Sequence, residues 1–253
     1  MSKNKLTRRA FLAATTTTAV VTVSGCKTNT ARVVPGKESP NEKINIAGIG
    51  AGGKGLDDIM SLRRENIVAL CDPDWKRAEE AFYRLPDARQ YKDYRKMLDE
   101  MGGDIDACTV STPDHSHAPA AYLAMKLGKH VYVQKPLTHT ILEARLLQRT
   151  ANEMGVMTQM GNQGHCHDGV RELCELLWDG AIGDIKEAHI WTNRPVWPQG
   201  IAEPLPQEPV PDTMAWDTWI GPAPMRAYNS GYAPFKWRGW WDFGCGAIGD
   251  MAC

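Results

Sequence analysis

The segment that most constrains this chain is Ile44-Asn45-Ile46-Ala47-Gly48-Ile49 running straight into Gly50-Ala51-Gly52-Gly53-Lys54-Gly55. A short apolar run ending in clustered glycines, with a helix-like stretch from Leu56 to Arg64 behind it, reads as strand, tight turn and helix. G-x-G-x-x-G fits in two registers, Gly48/Gly50/Gly53 or Gly50/Gly52/Gly55. Glycines keep such a turn tight and let a pyrophosphate approach the N–H groups at the helix start. A second apolar strand, Ile67 to Cys71, is closed by Asp72, 22 residues after Gly50. A carboxylate at that place meets a ribose 2′-hydroxyl and repels a 2′-phosphate, which favours NAD over NADP. The expected cofactor contacts are therefore Gly50, Gly52, Gly53, Lys54, Gly55 and Asp72.

The alternation continues. Asp72-Pro73-Asp74 opens a helix running to Leu85, Asp93 to Met101 forms a short helix, and Ile105 to Ser111 a strand. Ser116 to Leu127 is a helix stopped by Gly128, and His130 to Gln134 is a strand. Thr140 to Met154 is a helix stopped by Gly155, and Val156 to Met160 is a strand. Strands separated by helices of roughly 10–15 residues signal a parallel sheet built from βαβ units. The expected class is α/β, with a doubly wound parallel sheet over residues 42–162 and a second domain over 163–253.

Charge and cysteine usage exclude several alternatives. The 29 Lys+Arg and 30 Asp+Glu of the 253 residues leave a formal charge of −1 with no basic stripe, which argues against a nucleic-acid binder. Charged residues at 23% and hydrophobic ones at 43% describe a folded chain, not a disordered one. Seven cysteines form no C-x-x-C pair, so a zinc ribbon or a thioredoxin-like motif has no support.

Residues 1–26 read as an address. Arg8 and Arg9 precede a Thr-rich apolar run from Phe11 to Val23, the arrangement of a twin-arginine export signal. The run is too short and too polar to span a bilayer. Val23-Ser24-Gly25-Cys26 is similar to a lipobox, with Cys26 as the acylated residue; a plain cleaved signal is the alternative. Residues 27–41 read as a flexible tether. The expectation is an exported, periplasmic protein that touches a membrane only through a lipid anchor.

The glycine turn, Ser111-Thr112-Pro113-Asp114-His115-Ser116-His117, Gln134-Lys135-Pro136-Leu137 and Gly244-Cys245-Gly246-Ala247-Ile248-Gly249-Asp250 together resemble the Gfo/Idh/MocA family of sugar and inositol oxidoreductases. The resemblance covers about residues 43 to 253. It implies an N-terminal Rossmann domain and a C-terminal α/β domain whose large open sheet supports the substrate site and subunit contacts, hence a homo-oligomer.

By that resemblance Lys135 is the lysine of the family's Glu-Lys-Pro motif, near the nicotinamide and the reacting hydroxyl. Gln134 stands where the family usually has Glu; neighbours on a strand point to opposite faces, so the change need not disturb the lysine. Asp250 matches the aspartate that holds substrate or assists a catalytic histidine. That histidine lies four residues further on in the family, past Cys253: either the residues given are a fragment, which is the expectation, or the catalytic histidine is missing. Thr112, Pro113, His115, His117 and Gln134 are expected along the cofactor groove.

Other residues suit a sugar. Asn162, Gln163 and His165, in the turn after the last strand, offer donors and acceptors for hydroxyls, and Arg238 lies between Trp237 and Trp240. The pairs His115/His117 and His165/His167 have chelating spacing but no third ligand, so no metal is expected. Seven of the nine tryptophans fall between residues 191 and 241, as core of an open sheet or as stacking surfaces for a pyranose. Residues 197–236 are expected to wrap a neighbouring subunit.

The functional expectation is an NAD-dependent oxidoreductase moving a hydride between a carbinol carbon of a sugar, glycoside or polyol and a retained cofactor. The alternatives are an NAD-dependent glycosidase that oxidises its substrate transiently, or a carbohydrate-binding protein on the same scaffold.

Overall fold

A computed structural model describes residues 43–201 and 204–253. The signal with Cys26 and the whole tether lie outside the described residues. Six strands, β1 (Asn45–Ile49), β2 (Asn66–Cys71), β3 (Arg89–Tyr91), β4 (Ala107–Val110), β5 (His130–Gln134) and β6 (Thr158–Gly161), form one sheet. All pairings are parallel, in the order β3-β2-β1-β4-β5-β6. This is the doubly wound Rossmann order, with its topological switch between β1 and β4.

The helices between the strands are α1 (Lys54–Ser61), α2 (Trp75–Arg84), α3 (Tyr94–Met101), α4 (His117–Lys126) and α5 (Ile141–Met154). Their starts are chemically specified. Asp74 and Asp93 accept from the backbone N–H of Lys76 and Arg95, and Thr140 with Glu143 completes a reciprocal capping box. Gly155, at φ +65°, closes α5 in the left-handed conformation that favours glycine. Small residues let α4 approach the sheet: Ala120, Ala121 and Ala124 are fully buried against Val110, Val131 and Val133. β3 has no apolar run; its Arg-Gln-Tyr becomes a strand only because β2 offers a backbone to pair with.

Beyond β6 the architecture changes. Among the described residues no further strand forms, and only a single bridge, Asp74 with Met214, joins the region to other backbone in β fashion. Helix α6 (Asp168–Trp178) buries no residue. Residues 185–196 follow without pairing, leaving Ile190 95% and Trp191 85% exposed. A strand needs a neighbouring backbone, and none lies beside this segment.

Order returns at α7 (Trp216–Ile220), a 3₁₀ turn at Lys236–Gly239, and α8 (Gly246–Met251). Here Met214, Trp216, Trp219, Tyr228, Tyr232, Trp237 and Phe243 make a second core. Trp216 and Trp219 stack at 4.9 Å, and the Arg226 guanidinium lies 4.9 Å from the Phe243 ring while pairing with Asp242.

Candidate active site

One cleft crosses the carboxyl ends of four adjacent strands, β2, β1, β4 and β5, with Asp72 at one end and Lys135 at the other. At the strand spacing of a sheet that is a span of about 14 Å. The facing wall is aromatic, from Trp219 and Trp237.

The turn after β1 is shaped for close approach. Gly50 sits at φ +83°, and a Cβ there would lie 2.6 Å from the carbonyl oxygen of Ser111. Gly55 packs directly on the Gly50 carbonyl, which leaves no room for a side chain. The turn leads into the N-terminus of α1, the electropositive end of a helix. Thr112 adds a buried hydroxyl oxygen with no protein partner on the same cleft wall. A glycine cradle, a helix N-terminus and an unpartnered hydroxyl fit a dinucleotide, with Gly50, Gly52, Lys54, Asp72 and Thr112 as the residues that would hold it.

Asp72 is more committed than the sequence suggests. One carboxylate oxygen accepts from the N–H of Ala51 (2.9 Å) and Gly52 (3.1 Å), and the other from Asp74 (2.9 Å). Burial pushes its carboxyl up to about 6, against the lowering effect of these three donors. Of roughly four acceptor positions on a carboxylate, one remains for a ribose hydroxyl. Arg77, from α2, lies over Gly52 and Gly53 and joins the same wall, as does Lys92. Neither stood out in the sequence, because nothing local marks an arginine that folds back onto a loop some 25 residues earlier, about one βα unit.

At the other end Lys135 follows directly on β5. Its Nζ donates to the Asp250 carboxylate at 3.2 Å and also to the Asp250 carbonyl. Arg238 donates from Nε to the same carboxylate oxygen at 3.4 Å, with its guanidinium 4.1 Å from the Trp237 ring. Burial lowers Arg238 below its ordinary value, and the Asp250 carboxylate opposes that. Two cations thus converge on one anion, and Lys135, Asp250, Arg238, Thr112, Pro113 and Gln134 share the cleft.

The histidines do not. His115 and His117 are 2% and 1% exposed and lie behind the groove they were expected to line. The ring nitrogens of His117 face the carbonyl oxygens of Pro136 (2.7 Å) and Thr112 (2.8 Å), tying the segment after Lys135 to the end of β4. Those of His115 face the carbonyls of Phe243 (3.3 Å) and Trp219 (3.2 Å), where burial lowers the ring to about 4. The histidines hold walls together: each ring sits between two backbone carbonyls, and a neutral imidazole donates its one N–H to one of them. Asp114, buried and pushed up by that burial, accepts from the N–H of Cys245 at 2.9 Å and so anchors the glycine-rich segment that carries Asp250.

Asn162, Gln163 and His165 do not reach the cleft wall. Gln163 instead donates to Asp58 at 3.3 Å, and His165 is exposed. Asp58 was missed by motif reading. Its signal was a carboxylate on the same helical face as buried Gly55 and Ile59. Among the described residues no three His, Cys, Asp or Glu side chains converge to hold a metal ion, and no helix is long and apolar enough to cross a membrane.

Comparison with known proteins agrees with this arrangement. Residues 43–162 match the Gfo/Idh/MocA model described as oxidoreductase family, NAD-binding Rossmann fold, and residues 185–253 match that family's C-terminal alpha/beta domain. The chain is 28% identical over 148 residues to inositol 2-dehydrogenase 4 of Saccharopolyspora erythraea, covering 56% of this chain and 43% of that protein. It is 27% identical over 157 residues to the scyllo-inositol 2-dehydrogenase (NADP(+)) of Bacillus subtilis, covering 60% and 42%. A 3-ketoreductase from Actinomadura kijaniata, solved with TDP-benzene and NADP, superposes with a TM-score of 0.52 at 26% identity over 57% of this chain and 46% of that one. The chain spans less than half the length of these relatives. With most of its residues matched in order by the two models, the chain belongs to the Gfo/Idh/MocA family of oxidoreductases.

Proposed function

We propose that this protein is an NAD(P)-dependent oxidoreductase acting at a carbinol carbon of a sugar, glycoside or polyol, with NAD preferred. The observation that carries the reading is the Lys135–Asp250–Arg238 cluster, which shares one cleft with the glycine cradle. A bound nicotinamide supplies the hydride acceptor. The chain must then manage the hydroxyl proton, because a carbinol that loses hydride becomes a carbonyl only if its O–H is also lost. Lys135 Nζ is the group that meets the hydroxyl oxygen and carries its proton to or from the Asp250 carboxylate. Arg238 keeps that carboxylate in place. Trp219 and Trp237 form the opposite wall, beside these polar side chains. Asp72, at the ribose end, disfavours an added phosphate.

The test is a titration with NADH, followed by tryptophan fluorescence, then turnover on a panel of polyols and glycosides. Lys135→Met is expected to keep NADH affinity and to lower turnover by about 10²–10⁴-fold, the usual worth of a positioned proton donor or acceptor. A native chain with no saturable NADH binding would sink the proposal.

The export signal favours a second element of the reading. Arg8, Arg9 and Cys26 support twin-arginine export, with a periplasmic body on a lipid anchor. A cofactor bound before folded export and cycled within one site suits redox-neutral chemistry, including transient oxidation by a glycosidase. Product released without net NADH formation is the outcome that selects that version. The likeness to family members also supports a homo-oligomer, which sedimentation of the purified chain decides.

A further inference from the structure

Asp58 is buried among polar partners. Its side chain is 5% exposed, yet it takes part in no motif and does not line the cleft. One carboxylate oxygen accepts from Ser111 Oγ (2.7 Å) at the end of β4 and from Gln134 Nε2 (2.7 Å) at the end of β5. The other accepts from Lys54 Nζ (2.8 Å) and from Gln163 Nε2 (3.3 Å) in the turn after β6. Four donors from four different segments thus converge on one anion that rides on α1, the helix launched by the glycine turn. Three of them, Lys54, Ser111 and Gln134, belong to residues that line the cleft, and Gln134 immediately precedes Lys135. We infer that Asp58 is a positioning residue for the cofactor and lysine end of the cleft, and that it carries the buried carboxylate which the Glu-Lys-Pro motif would otherwise place at 134.

The departure at Gln134 is then a matched exchange. Gln134 is confined: the Gly161 backbone is so close to its amide that a Cβ on Gly161 would lie 2.8 Å from Gln134 Cδ, so the side chain cannot swing away from Asp58. A glutamate there has the same shape and would set two carboxylates face to face in a buried site, where both cannot ionise without cost. The amide at 134 and the acid at 58 make one charge between them. The charged and titratable groups that face Asp58 are Lys54 from its own helix and Tyr132 from β5; burial and Asp58 push the Tyr132 hydroxyl up, so it stays neutral. Ser111, Gln134 and Gln163 do not titrate.

The inference rests on the cofactor-binding reading, and its test separates the two. Full-length native chain, Gln134→Glu, Asp58→Asn and the double variant are compared by thermal unfolding without cofactor and by NADH affinity, each at about pH 5 and about pH 8. Gln134→Glu is expected to bind NADH about tenfold more weakly and to unfold at lower temperature at the higher pH. Both defects are expected to recede at the lower pH, where the pair shares a proton; an acid raised by a like charge stabilises the fold below its pKa and loses that contribution as pH rises. The double variant restores one carboxylate and one amide and is expected to recover most of the Gln134→Glu loss, with the pH dependence of the native chain. Asp58→Asn alone is expected to weaken NADH binding at both pH values. Additive effects of the two substitutions, or a Gln134→Glu chain indistinguishable from native at high pH, overturn the assignment. If neither the native chain nor any variant binds NADH but the unfolding data still show the rescue, the Asp58–Gln134 pairing stands as a structural contact, and the positioning role falls with the cofactor reading. An unfolded Gln134→Glu chain recovered by Asp58→Asn supports the same conclusion.

Discussion

The Rossmann half and the aromatic core beyond residue 205 are both buried, but they are held together differently. In the first, each strand is fixed by parallel backbone pairing, and small or branched aliphatic residues fill the space under alanine-rich α4. In the second, among the described residues, there is no sheet. Large rings pack on one another, and the backbone is held by side chains, such as Trp216 Nε1 donating to the Arg226 carbonyl at 2.8 Å and Asn229 reaching Pro206 at 2.7 Å. Backbone pairing distributes stability over many small terms, whereas a ring cluster concentrates it in a few side chains. The difference matters for the site, since the cleft lies between the two kinds of core and each supplies one wall.

The sharpest way to break that contrast is Trp219→Ala. Trp219 stacks on Trp216, meets Phe243 at 5.0 Å and faces the cleft, so its loss is expected to cost about 3–5 kcal/mol in denaturant unfolding and to weaken NADH binding in step. Near-UV circular dichroism reads the loss of ring packing directly.

Next in size is Gly50→Val in the paired half. Its positive φ and the nearby Ser111 carbonyl predict a cost of about 1–3 kcal/mol, with NADH affinity falling far more than stability. Isothermal titration separates the two; equal losses would mean that the turn is structural only.

A pH series sharpens the comparison further, because Asp72 at the far end of the Rossmann cleft and His115, where that half meets the aromatic core, have slopes of opposite sign. Asp72, raised from 3.8 to about 6, binds its proton more tightly in the folded chain, so its contribution to stability falls as pH rises through that range. His115, lowered from 6.5 to about 4, takes its proton only when unfolded, so its contribution falls as pH drops through that range. His115→Gln is expected to leave a chain that loses stability with rising pH between these values, and Asp72→Asn one that gains it. Each slope is at most about 1.4 kcal/mol per pH unit.

Smaller still is Asp114→Asn, which weakens the acceptor for the Cys245 N–H and is expected to cost about 1 kcal/mol. The smallest is Trp178→Ala. That ring is 84% exposed on α6 and its removal is expected to change unfolding by less than about 0.5 kcal/mol. A larger change would show that α6 is covered in solution.

The same contrast explains what could be read in advance. β5 spans His130–Gln134, as its apolar run predicts, and α3 and α5 begin one residue after the Asp93 and Thr140 that cap them. These elements are legible because period, caps and glycine stops are local. β3 was missed because Arg89-Gln90-Tyr91 has no pattern of its own. The aromatic core resisted reading because ring-on-ring packing has no period along the chain. In the site, Lys135, Asp250 and the glycine turn were found by motif. His115 and His117 were recognised as important but assigned to the wrong side of the wall.

What the amino-acid order determines on its own is the succession of strands and helices, the glycine turn and the lysine at the end of β5, since each depends on neighbours a few positions away. What only the tertiary structure decides is the company these residues keep: Asp72 held by three backbone N–H groups, the histidines turned into braces, and Asp58 facing Gln134 across 76 positions of chain. Hydrogen bonds and burial are set by distance in space, and the chain brings such partners together only when its separate segments pack.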